Sequence, residues 1–478
     1  MAVNDGLQRT SPESQGVPSA AVNRLLDSFA EKELELHSIM ILRRGKVVAE
    51  GWWQPYRADD THMLFSLSKS FTSTAIGFAV EEGLISLDDL VCDFFADKLP
   101  DQVGPNLAQM RIRHLLTMSA GHDQDPTVNV FSTPDGDWVK AFLAQEVAHE
   151  PGTHFVYNTA ATYMLSAIIR QVTGQNLIDY LTPRLFEPLG IVGATWENCP
   201  QGTNVGGSGL SVKTSDIAKF GQLYLQQGVW NGKQLISREW VREATSKQME
   251  IPGEPASDWT QGYGYQFWRC RHNSYRGDGA FGQFCVVVPE QQLVVAITAG
   301  VMNMQAVLDS LWDVLLPALS PAPLPADQAE QERLQARLQE LALPLLPAGK
   351  RVHGQSFAGR YVFPENDQAL QWADFVFAPD GCTVTLEFAA DTAKLPAGYG
   401  RYGQGSFPLP RFGNALAYSC ASWHDEHSLE VLARLVETPF AYTLNCKFSP
   451  GEVELKASVN CSFGPREYPP IKGRLESR

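Results

Sequence analysis

Residues 65–91 read FSLSKSFTSTAIGFAVEEGLISLDDLV, and the reading of this stretch decides the fold. Small and apolar residues over 70–80 predict a helix that stops near Gly83. With Ser66 at the start of that helix, Lys69 is one turn on and faces the same side. The Ser66 N–H then points into the open helix end, where anions are favoured. A serine hydroxyl is a weak nucleophile until a base takes its proton. Lys69, set among apolar and small residues, is expected to be partly buried, and desolvation with nearby positive potential would lower its pKa from ~10.4. The bland alternative, a capping serine and a surface lysine, fits the spacing alone but not the apolar surroundings.

Two later segments carry compatible chemistry. Residues 151–159, PGTHFVYNT, form a turn feeding a helix. A phenol at Tyr157 brought beside an ammonium becomes more acidic and can shuttle protons; a core tyrosine with a satisfied hydroxyl is the competing reading. Residues 276–283, RGDGAFGQ, contain a literal Gly-x-Gly-x-x-Gly from Gly277 to Gly282. The dinucleotide fingerprint needs a helix after it, whereas 284–288 reads as a strand, so that match fails on context. Glycines leading into a strand instead let a ligand lie close to a sheet edge.

Ser66-x-x-Lys69, then Tyr157-Asn158-Thr159, then Asp278-Gly279 before a strand is the motif order of serine β-lactamases and penicillin-binding proteins. The text over 65–91, IRHLLTMSAGH (112–122), 151–174 and GGSGLSVKTSDIAKFGQLYLQQGVWNG (206–232) resembles the class C-type β-lactamase family, with its carboxylesterases, D-aminopeptidases and D-alanyl-D-alanine carboxypeptidases. The likeness covers roughly residues 11–302. It implies an α+β fold: an antiparallel sheet flanked by helices, plus an all-helical lobe. It also implies Ser66 as nucleophile, Lys69 as its proton partner and Tyr157 as general base or leaving-group acid. Which of Lys69 and Tyr157 takes the first proton is left open. The oxyanion hole would be the backbone N–H groups of Ser66 and Ala280. Asn158, Thr159, Arg276, Asp278, Gly279 and Tyr263 would contact substrate. Two departures stand out. The second motif has Thr159 where Asn is common, and the third has Gly277 where Lys or His is common. Arg276, one residue early, would point to the other face of a strand. Ester or amide cleavage is therefore expected over efficient β-lactam hydrolysis.

The remainder of the 478 residues frames this core. Hairpins are expected over 39–53, turning at Arg44-Gly45-Lys46, and over 286–298; helices over 162–172, 216–227 and 237–245, the last capped by Ser237. Prolines over 317–325 read as a linker, 326–343 as a charged amphipathic helix, and the strand signals beyond as a small antiparallel β unit. This divides the chain into a catalytic domain (1–320), a linker with helix (321–350) and a barrel-like domain (351–478). The loop 123–137 suggests an active-site lid, and Trp138, Tyr263, Tyr265 and Trp268 candidates for an acyl pocket. Lys+Arg of 38 against Asp+Glu of 53 gives a net charge of −15 without a basic run, which argues against nucleic-acid or anionic-membrane partners. Eight scattered cysteines without Cys-x-x-Cys and an N-terminus without a signal-peptide pattern suggest reduced thiols in a cytoplasmic protein. No cofactor or metal is expected: there is no His-Glu-x-x-His, and His114, His122 and His154 read as packing or loop residues. Gly354-Gln355-Ser356-Phe357-Ala358 lacks the last glycine of a hydrolase elbow. The expected partner is a small-molecule or short-peptide acyl substrate, with oligomeric state open. The alternative is a non-catalytic protein that keeps the fold and binds peptidoglycan-like or acyl ligands.

Overall fold

The computed structural model describes residues 5–347, 349, 354–409 and 413–476. A seven-stranded sheet forms the catalytic domain's spine. Its strands are β1 (Gln8–Arg9), β2 (Leu36–Arg43), β3 (Lys46–Trp52), β4 (Trp268–Cys270), β5 (Ser274–Gly279), β6 (Gln283–Val288) and β7 (Leu293–Ala299), in the order β1-β3-β2-β7-β6-β5-β4. Every pairing is antiparallel except the short β1–β3 edge. The β2–β3 hairpin turns where expected: Arg44 and Gly45 both take positive φ, 52° and 77°, the combination a two-residue I′ turn demands.

Both faces of the sheet are covered, so β2 is buried along its whole length. Met40 and Leu42 face the core shared with helices α2 (Ser68–Glu81), α3 (Thr159–Thr173) and α4 (Thr214–Leu225). Leu36, Ile39 and Ile41 face the opposite core, shared with α1 (Ser19–Glu31) and α6 (Met304–Ser310). The period of two along a pleated strand separates Ile39 and Ile41 from Met40 and Leu42, and the register shift opposite Thr298 and Ala299 brings Leu36 to the side of Ile39. The sequence places α2 two residues late, α3 three late and α4 two late. Helix α5 (Arg238–Thr245) starts after Ser237, whose Oγ accepts from the Trp240 N–H at 3.0 Å. Gly77 in α2 leaves room for the Trp240 indole of α5; a Cβ there would lie 2.6 Å from it.

The amphipathic helix α7 (Gln328–Gln339) packs back on the catalytic domain. Leu334 enters the α1 core, Arg337 pairs with Asp27 at 2.7 Å and Gln331 donates to Glu13 at 2.6 Å. Beyond it, ten strands from Gly359–Val362 to Ile471–Leu475 close into a barrel with its own core. The expected start of this unit at residue 351 lies outside the described residues. Five of its strands were legible from alternating or clustered apolar residues, at 361–363, 375–377, 383–388, 429–436 and 453–459; of the five that were not, those over Thr392–Tyr399 and Gly403–Leu409 carry Pro396, Gly398, Gly403, Gly405 and Pro408. Gly403 and Gly405 are needed there: a Cβ at either would lie 2.0 Å from the carbonyl of Pro396 or Lys394 on the neighbouring strand.

The barrel docks through a polar seam. Arg434 donates to Glu35 at 2.9 Å, Asn460 Nδ2 to the Gly300 carbonyl at 3.2 Å, and the Met63 N–H to the Glu437 carbonyl at 2.8 Å. Burial alone would raise the Glu35 carboxyl, but the hydrogen bond to His37 and the Arg434 charge outweigh it and hold it below the usual range. Among the described residues no helix is long and apolar enough to cross a membrane, and all eight cysteines are buried and unpaired.

Candidate active site

Ser66 sits not on α2 but on the single 3-10 turn Phe65–Leu67 that runs into it. The turn is strained: Phe65 has φ 47°, a region costly for any side-chain-bearing residue other than Asn or Asp. Ser66 stays partly exposed. Lys69, 1% exposed, lies one turn on and its Nζ donates to Ser66 Oγ at 2.9 Å, Thr159 Oγ1 at 3.1 Å and the Gly207 carbonyl at 2.7 Å. Three acceptors match the three protons of an ammonium.

Burial nonetheless pushes the Lys69 pKa down from 10.5 to about 7. The sequence reading invoked nearby positive potential as a helper. The charges in range are instead the carboxylates of Asp125 and Asp278, which work against the shift, so desolvation is the cause. Tyr157 is likewise corrected. Its ring lies 4.9 Å from Lys69 Nζ, yet burial first and the Asp278 charge second raise the phenol well above its usual range, with a hydrogen bond to Ser66 working the other way. The phenol is less acidic than in water.

The second motif divides its labour. Thr159 is the Lys69 acceptor just described. Asn158 is 1% exposed and caps α3, accepting from the Ala161 N–H at 2.9 Å while its Nδ2 meets His122 Nδ1 at 3.2 Å. Its side chain is thus engaged within the helical lobe. His122 packs against Phe142 and burial lowers its pKa to about 4.

Strand β5 supplies the third wall. Gly279 lies so close to the Ser66 turn that a Cβ would stand 1.9 Å from the Leu64 carbonyl. Ala280 follows it directly, then Phe281 at φ 68°. Gly277 faces the nucleophile turn and the start of α2, where a Cβ would meet Leu67 Cδ1 at 2.5 Å and Ser70 Oγ at 2.6 Å. Arg276 and Asp278 point to the other face, as alternation requires. Arg276 is fully buried. Its Nε donates to Asp278 Oδ2 at 2.9 Å and its Nη1 to the Asp258 carbonyl at 2.7 Å, with the guanidinium 4.4 Å from the Trp259 ring and 5.6 Å from that of Trp268. Trp268 in turn stacks on Tyr157 at 5.4 Å, and Tyr263 meets both rings edge-on. Arg276 therefore backs the aromatic wall behind Tyr157. Trp138 stacks on Phe131 and Tyr265 lies against Trp240, both away from this wall.

Sequence reasoning missed Gly207 and Asp125. Gly207 belongs to the GGSG loop already quoted for its family likeness, but nothing in a glycine announces a carbonyl acceptor. Asp125 lies in the 123–137 loop, which packs on the start of α3 through the Ala160 N–H donating to Thr127 Oγ1 at 3.0 Å. The ligand atoms of Asp123, His149 and His154 gather within 4.8 Å of one another, a cluster with no sequence spacing to reveal it.

Comparison with known proteins bears on the family and the fold. The family described as Beta-lactamase matches residues 7–315. The chain belongs to the beta-lactamase family. A relative named 6-aminohexanoate-dimer hydrolase, from Paenarthrobacter ureafaciens, is 25% identical over 322 residues, covering 60% of this chain and 80% of its own. Lovastatin esterase of Penicillium rubens is 28% identical over 168 residues, 30% of this chain and 42% of its own. The solved octameric penicillin-binding protein homologue from Pyrococcus abyssi aligns over 95% of this chain and 99% of its own, with TM-score 0.52 and 18% identity, which speaks for the fold of both domains. The relatives named for an activity are hydrolases, and hydrolase chemistry is what this family membership supports.

Proposed function

We propose that the protein is a serine hydrolase that cleaves an ester or amide through an acyl-enzyme on Ser66. The observation that carries the reading is the buried Lys69 amine, 2.9 Å from Ser66 Oγ, with its pKa brought to about 7. A lysine that is half neutral near pH 7 accepts the serine proton as Oγ attacks the carbonyl carbon. The negative charge on the carbonyl oxygen is taken by the N–H groups of Ser66 and Ala280. Tyr157, held protonated by burial, donates to the leaving oxygen or nitrogen and recovers its proton from the Lys69 ammonium. Water then attacks the acyl-serine, releasing the acid and restoring Ser66. This ordering assigns the first proton to Lys69 and the leaving-group proton to Tyr157.

Efficient β-lactam hydrolysis is not part of the proposal. The third-motif position usually held by a cation is Gly277, with no room for a side chain, and Arg276 is spent on Asp278 and two tryptophans. The substrate is a small acyl compound or short peptide. Eight buried free thiols suit a reducing compartment, in keeping with a cytoplasmic enzyme. The deciding experiment is intact mass after a fluorophosphonate probe, with turnover of a p-nitrophenyl ester and of nitrocefin. Labelling that vanishes in Ser66→Ala, with ester turnover exceeding nitrocefin turnover, is expected. Labelling that persists in Ser66→Ala, or never occurs in the wild type, overturns the nucleophile assignment in favour of a binding protein.

A further inference from the structure

Four phenylalanine rings from two domains converge beside Ser66. Phe65 immediately precedes the nucleophile and Phe281 immediately follows Ala280; their rings meet edge-on at 5.4 Å. From the barrel, Phe440 reaches within 6.2 Å of Phe65 and 5.9 Å of Phe281, and Phe463 within 6.0 Å and 4.8 Å of the same rings. Both catalytic-domain members hold left-handed φ, 47° and 68°, a strain that persists only where surrounding structure over-determines it. The barrel rings are part of that surrounding.

Phe463 is the anomaly. It is 80% exposed, on a loop whose base is fixed: Asn460 is tied to Gly300 and Glu35 of the catalytic domain, Cys461 is buried, and the Gly464 N–H donates to Ser462 Oγ at 3.0 Å. A solvent-facing aromatic packed against Phe65 and Phe281, the neighbours in the chain of Ser66 and Ala280, leaves apolar surface open at the edge of the nucleophile turn. The four rings themselves offer an apolar surface and no charge to a substrate carboxylate.

We propose that Phe463, backed by Phe65, Phe281 and Phe440, is an apolar subsite supplied by the barrel to the catalytic cleft, and that the substrates are esters or amides whose acyl group is uncharged and extended, aliphatic or aromatic. The proposal rests on the Ser66 hydrolase reading. Each methylene withdrawn from water against such a wall favours the longer acyl chain about fourfold. The subsite thus sets a chain-length preference that the catalytic domain alone lacks.

The test is the ratio of kcat/KM for p-nitrophenyl hexanoate to that for p-nitrophenyl acetate, in wild type, Phe463→Ala and Phe463→Leu. The wild-type ratio should fall about tenfold in Phe463→Ala and recover in large part in Phe463→Leu, which restores apolar contact without the ring. Phe463 is exposed, so neither change threatens folding; a thermal melt verifies it. A ratio equal in wild type and Phe463→Ala, or one that Phe463→Leu fails to restore, overturns the subsite while leaving Ser66 catalysis standing. A wild type that is neither labelled at Ser66 nor active on either ester brings down the hydrolase reading, and the subsite with it.

Discussion

The pH dependence of turnover is where the burial of Lys69 becomes measurable. The fall from 10.5 to about 7 corresponds to about 5 kcal/mol of lost ammonium stabilisation relative to water. A base with that pKa gives kcat/KM on p-nitrophenyl acetate an acidic limb of unit slope, about a tenth of the plateau at pH 6 and about a hundredth at pH 5. Buried histidines do not mimic it: burial pushes His62 to about 3, and His114 and His122 to about 4. Asp125 supplies the diagnostic variant. Its negative charge raises the Lys69 pKa, so Asp125→Asn should move the limb to lower pH. Stability follows with a defined sign. Between about pH 7 and 10.5 the unfolded chain binds more protons at Lys69 than the folded one, so resistance to urea should rise with pH across that window. Lys69→Met should flatten this component. A limb near 10, no limb at all, or an upward move in Asp125→Asn would refute Lys69 as the base.

Two more predictions concern the packing around the site. Gly277→Lys, which restores the family's usual cation, should lower the melting temperature and gain no nitrocefin turnover, because the new Cβ collides with Leu67 on the 3-10 turn and Ser70 on α2; a folded variant with enhanced nitrocefin cleavage would contradict this geometry. Arg434→Met should cost about 2–3 kcal/mol in urea unfolding by taking the cationic partner from Glu35 at the domain seam, a figure set below that of a fully buried pair because Glu35 keeps a quarter of its side chain exposed and retains His37 and Asn460; an unchanged midpoint would show that the seam does not depend on the pair.

Much of the catalytic domain was legible because its signals are local. The apolar run after Ser66, the Arg44-Gly45 turn and the Ser237 cap each fix backbone within a few residues. The site divided differently. Ser66 and Lys69 are one turn apart, so spacing sufficed. The fate of Asn158 and Thr159 depended on which neighbour points into the cleft, and a helix N-terminus that needed capping drew Asn158 away. Arg276 could be excluded from the Gly277 face by alternation, but its burial between two tryptophans came from Trp259 and Trp268, which precede β5 in the chain. The sign of the Tyr157 shift was misjudged because only the ammonium beside it was weighed, whereas burial of the phenol itself is the larger effect. Two of the missed barrel strands, Thr392–Tyr399 and Gly403–Leu409, carry the glycines and prolines that ordinarily mark turns, tolerated because they sit where neighbouring backbones approach.

The order of strands in the main sheet bears on how the chain is made. β2, buried from Leu36 to Arg43, takes as its permanent neighbour β7, whose register runs from Leu293↔Arg43 to Ala299↔Leu36. On a ribosome the hairpin emerges early and the entire helical lobe is synthesised before its partner strand arrives. An apolar strand with one open edge is then exposed for the interval, the condition under which nascent chains associate wrongly. Closure of the sheet by distant segments also makes folding slow for the chain's size. Chaperone assistance and low-temperature expression should therefore matter more to the yield of this protein than its well-packed final state would imply.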